Sequence, residues 1–63
     1  MFTAVLVACL VAEPETCRPV EFYLTEQMPF MMWREAETKA LEYLEKHPDM
    51  VKRDLRVVRG QGV

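Results

Sequence analysis

The sequence predicts an α+β domain of β-β-α-β order, a three-stranded antiparallel or mixed sheet in the order 2-1-3 with one helix packed on one face. Three observations predict it. Phe2 to Ala12 is an unbroken apolar run that ends in the turn chemistry of Glu13-Pro14-Glu15. Val20, Phe22 and Leu24 alternate with Glu21 and Tyr23, the period of a half-buried strand. Between Pro29 and Lys46, apolar residues recur at helical spacing beside acid–base pairs four residues apart.

The first strand is carried by Val5, Val7 and Val11, whose branched Cβ atoms suit a pleated surface. As helix, eleven apolar residues would rise only about 16 Å, half of a ~30 Å hydrocarbon core. No membrane role is expected of them. As a secretory signal the run lacks a positively charged n-region, because no Lys or Arg precedes Arg18. The expected setting is cytoplasmic.

The second strand spans Arg18 to Leu24, with Pro19 arguing for a late start or an edge position, since proline donates nothing to a ladder. Thr25 to Pro29 leads into the helix with a small polar residue, an early acid and a proline suited to the first turn. Glu35/Lys39 and Glu42/Lys46 place the acid N-terminal to the base, the better orientation. Trp33, Ala36, Ala40, Tyr43, Leu44 and His47 are expected to lie on the sheet. His47-Pro48 ends the helix, because proline disfavours helical geometry in the residue before it.

The third strand, Met50 to Arg59, sets Val51, Leu55 and Val57 against Lys52, Asp54 and Arg56, with Arg53 breaking the alternation. The whole chain, 1–63, reads as one domain with 60–63 frayed. Strands one and two form a hairpin, the helix returns the chain, and strand one becomes the centre, antiparallel to both neighbours.

A chain of 63 residues and 7.4 kDa buries about 3,500 Å² of apolar surface on folding, worth on the order of 90 kcal/mol. Ordering the same chain costs about 95 kcal/mol. A lone copy is therefore marginal. Strand one reads as apolar on both parities, and one helix covers only one of them. A second copy is the simplest cover, so a homodimer is expected, packed sheet to sheet or through paired edges, with a protein partner as the variant reading. The expected partner surface is Phe2, Val5, Val7 and Val11, joined by Phe30, Met31 and Met32, because Phe30 to Trp33 are consecutive and cannot all face one side.

Chemistry-bearing residues are few. Cys9 and Cys17 sum to 26, so a hairpin centred on Glu13 sets them opposite one another. In a non-hydrogen-bonded pair they can bridge, and otherwise they are two small buried hydrophobes. They also carry a weaker reading as a thiol redox or metal pair, but zinc wants four ligands in a structural site and only His47 remains to add. No metal or cofactor is expected. Lys52, Arg53, Arg56 and Arg59 give residues 48–63 four bases against two acids, while residues 1–47 hold four against eight. They are the candidate contacts of a nucleic-acid-binding or regulatory module. The sequence pI near 5.3 weighs against it, and edge protection is the plainer role of such a strand. The chain has no serine and no Gly-rich loop after a strand, so no catalytic constellation is expected and the reading is non-enzymatic. His47 fits a helix C-terminus, where a positive imidazole is favoured by the dipole.

Leu6 to Cys17, Lys46-His47-Pro48 and Val51-Lys52-Arg53 together give a pattern that resembles small uncharacterised proteobacterial proteins with an apolar first strand, two cysteines and a β-β-α-β order. The resemblance implies a self-contained domain and no particular activity. Some such proteins carry further cysteines in the helix and the last strand, where this chain has Met31, Met32 and Val58.

Overall fold

A computed structural model describes residues 2–59; the expected fraying of 60–63 lies outside the described residues. The chain forms β1 (Phe2–Leu10), β2 (Cys17–Leu24), α1 (Pro29–Lys46) and β3 (Met50–Arg59). The sheet order is β2-β1-β3, with β1 antiparallel to both neighbours. This is the predicted α+β arrangement.

The β1–β2 register runs from Phe2 opposite Leu24 to Cys9 opposite Cys17. Every pair therefore sums to 26, as a hairpin centred on Glu13 requires. Directly opposed residues share a face, so one face carries Ala4, Leu6 and Ala8 beside Phe22, Val20 and Arg18. Two core clusters sit on that face. Ala4, Leu24, Met32 and Ala36 form one, and Leu6, Ala8, Ala40 and Met50 the other.

Alanine faces alanine along this seam, Ala4 and Ala8 from the strand and Ala36 and Ala40 from the helix, all essentially buried. The expected helix stripe, from Trp33 to His47, is corrected at its first residue. Met32, 7% exposed, packs in the cluster with Ala4, Leu24 and Ala36, whereas Trp33, expected on the sheet, is 46% exposed. A flexible thioether fits an irregular gap that an indole does not.

The alternation in β3 is also corrected. The register slips between Val7 and Ala8, so that Val7 opposes Asp54 while Ala8 opposes Lys52, leaving Arg53 as the extra residue of a β-bulge. The bulge reverses the facing of everything before it. Met50 and Lys52 join Leu55 and Val57 on the helix side, and Val51 goes to the opposite face.

The helix start differs from expectation. Its N-cap is Met28, with no side-chain cap and no acid in the first turn, although Pro29 does occupy the first turn. Glu35, from the middle of the helix, organises the β2–α1 connection instead. Its carboxylate accepts the backbone N–H of Thr25 at 3.0 and 3.1 Å, the Thr25 hydroxyl at 3.0 Å and the Glu26 N–H at 3.0 Å.

Candidate interaction surface

The face of the sheet turned away from the helix is built from alternate residues of all three strands. Across β1 the rows are Tyr23–Thr3–Val58, Glu21–Val5–Arg56, Pro19–Val7–Asp54 and Cys17–Cys9–Val51. Val5 and Val7 are partly exposed, Tyr23 is 64% exposed, and Pro19, Glu21 and Arg56 are exposed. No other described element packs on this face. Its centre is a stripe of valines, with an acid on the β2 flank and a guanidinium on the β3 flank.

Thr3 sits at one end of the stripe. Strand one is thus not apolar on both faces as expected, because the second face includes this hydroxyl. It is fully buried and has no hydrogen-bond partner among the described residues.

The other end is closed by a disulfide between Cys9 and Cys17, whose Cα atoms lie 3.9 Å apart. Close approach is characteristic of a directly opposed, non-hydrogen-bonded pair. The Arg53 guanidinium donates to the Pro14 carbonyl at 3.5 Å and lies 4.0 Å from the Cys17 sulfur. The bulge therefore aims its extra residue across the hairpin loop. With both cysteines in the bridge, neither is a free ligand, and no cluster of potential metal ligands occurs among the described residues.

Several residues expected at a partner surface lie elsewhere. Phe2 belongs to the helix side, packed against the cluster of Ala4, Leu24, Met32 and Ala36, because its parity is that of Ala4. Met32 is core. Val11 lies beyond the end of β1, exposed, with its N–H given to the Asp49 carbonyl at 2.9 Å. Only Val5 and Val7 of the four β1 candidates occupy the open face. Phe30 and Met31 are exposed on the helix, Phe30 beneath the Arg34 guanidinium at 5.9 Å. They form a separate patch.

The four basic residues of β3 are divided. Lys52 and Arg59, opposite Ala8 and Phe2, fall on the helix side. Arg56 is on the open face, held by Asp54 through Nη2 at 2.7 Å and Nε at 3.0 Å, and Arg53 is committed to the loop. They do not make one stripe within a single copy.

The Glu35 carboxyl is held well below the ordinary carboxylate range. The Glu26 N–H, then the Thr25 hydroxyl and N–H and the Lys39 ammonium, pull its pKa from 4.5 to about 2 against an opposing desolvation. The expected Glu35–Lys39 pair forms at 3.2 Å, and Lys39 also donates to the Tyr23 carbonyl at 2.6 Å. Glu42 and Lys46 form no such pair. Near the helix C-terminus, His47 Nδ1 donates to the Tyr43 carbonyl at 2.8 Å and its ring stacks on Tyr43, while Arg18 donates to the Tyr43 hydroxyl at 2.6 Å. These contacts fasten the helix to the β2 edge and place no nucleophile beside a base.

No protein-family model, curated protein or solved structure matches the chain. No helix among the described residues is long and apolar enough to cross a membrane.

Proposed function

We propose that the protein is a non-enzymatic interaction module whose working form is a homodimer assembled through the open face of its sheet. One observation carries this reading: among the described residues nothing covers the face on which the central strand presents Val5 and Val7, with Tyr23, Pro19 and Val58 beside them and the charged Glu21, Asp54 and Arg56 on the flanks. An antiparallel sheet with one face in water normally places polar side chains on its central strand as well. Edge pairing is the less favourable route to the same end. Pro19 removes a donor from the β2 edge, and the bulge at Arg53 with its charged neighbours breaks the β3 edge.

The Cys9–Cys17 bridge favours an oxidising compartment over the cytoplasmic setting expected from the sequence, since thiols are kept reduced in most cytosols. Nucleic-acid binding is the weaker reading, because Arg56, the basic residue on the open face, and Arg53, turned to the hairpin loop, already have partners in the chain.

Size-exclusion chromatography with light scattering tests the proposal. A mass near twice that of the chain is expected, returning to the monomer value in Val7→Glu, where a buried unpaired charge would be intolerable at the interface. A monodisperse monomer of high stability up to millimolar concentration would sink it.

A further inference from the structure

We infer that the open face packs against the same face of a second copy about a two-fold axis parallel to the strands, which sets Glu21 of each copy against the partner's Arg56. The inference rests on the reading of this face as a self-association surface and adds its geometry.

The argument starts from one row of the sheet. Val5 opposes Glu21 on β2 and Arg56 on β3, so the acid and the base flank the central strand at the same height, on the same face. Two face-to-face dimers keep the strands aligned. An axis perpendicular to the strands, through the Val5 row, superposes each flank on itself, acid over acid and guanidinium over guanidinium. An axis parallel to the strands exchanges the flanks, and both charge pairs become complementary.

The neighbouring rows agree with the second choice. Tyr23 and Val58 flank Thr3, so exchanging flanks lays an exposed aromatic ring on a branched aliphatic side chain, a favourable pairing on sheet surfaces. Pro19 and Asp54 flank Val7, so the one acid on the β3 flank meets a neutral residue. Val5 and Val7 then stack on their symmetry mates along the axis.

Arg56 is prepared for the role. Asp54 engages its Nε and Nη2, which orients the planar group and leaves the other guanidinium N–H donors for a second carboxylate. Sheets stacked face to face lie about 10 Å apart, within the combined reach of extended Glu and Arg side chains.

The face is small. Three strands at ~4.8 Å spacing and nine residues at ~3.3 Å rise give roughly 450 Å² per copy, in the range of weak, concentration-dependent complexes. Charge register therefore matters more here than in a large apolar interface.

Sedimentation velocity on the oxidised protein, from about 10 μM to about 1 mM to span weak association, tests this with Glu21→Arg and Arg56→Glu. Wild type is expected to dimerise, and each single reversal to weaken association by about tenfold or more, because it creates two like-charge contacts per dimer. An equimolar mixture of the two variants is expected to recover wild-type association as a heterodimer, since both pairs become complementary again. That recovery also shows that both variants are folded. Wild type monomeric throughout would overturn the self-association reading and the geometry with it. Dimeric wild type with unaffected single variants, or with no recovery on mixing, would overturn the geometry alone.

Discussion

The carboxylate of Glu35, in the middle of the helix, holds both the backbone N–H and the hydroxyl of Thr25, ten residues earlier in the chain. The link ties the exit of β2 to the helix, and it depends on charge. Because the folded-state pKa of Glu35 is depressed to about 2 from 4.5, its contribution is fully present above the unfolded value and is lost as pH falls through the folded one. Thermal unfolding of wild type and Glu35→Gln is expected to show wild type ahead at neutral pH. The gap should close between about pH 4.5 and pH 2. A gap independent of pH would remove the carboxylate from this role.

The Glu35 contact also shows what a sequence withholds. Strand positions follow from alternation and the turn at Glu13, and the facing of Cys9 to Cys17 follows from the same arithmetic. Glu35 was legible only as half of a pair with Lys39. Its bonds to Thr25 and Glu26 depend on how a loop folds back in space, and no local periodicity encodes that. The helix phase was ambiguous for a related reason. Met32 and Trp33 are adjacent, each compatible with Ala36 and Ala40 by helical spacing, and only the folded structure separates them, Met32 in the core and Trp33 exposed. Arg53 did leave a trace. Its break in the β3 alternation is the mark of the bulge, and reading it as an insertion would have placed Val51 on the open face and Met50 in the core.

The Cys9–Cys17 bridge closes a loop of eight residues' separation. In the chain-entropy treatment a loop of this length stabilises the fold by about 2.5 kcal/mol, a large share for a domain whose burial and ordering terms nearly cancel. The double variant Cys9→Ala/Cys17→Ala, or wild type under reductant, is expected to lose that amount in urea denaturation. An unchanged midpoint would show that β1 and β2 hold their register without the bridge.

Arg18 and Tyr43 join the β2 edge to the last turns of the helix through a 2.6 Å hydrogen bond. Both groups are on the exposed side, so Tyr43→Phe is expected to cost no more than about 1 kcal/mol. Tyr43→Ala also removes the ring that packs edge-on to Phe22 and stacks on His47, and a loss of about 2–4 kcal/mol is expected. Equal losses for the two variants would mean that the hydroxyl, and not the ring, fastens the helix.

Thr3 offers the converse test, in which removing a polar group strengthens the protein. Its hydroxyl is buried without a hydrogen-bond partner among the described residues, so it bears the desolvation cost of burial with nothing in return. Valine has nearly the same shape and a higher strand preference. Thr3→Val is expected to raise stability by about 1 kcal/mol, or roughly 4–8 °C in Tm for a domain of this size. A Thr3→Val variant less stable than wild type would show that the hydroxyl is satisfied within a single chain.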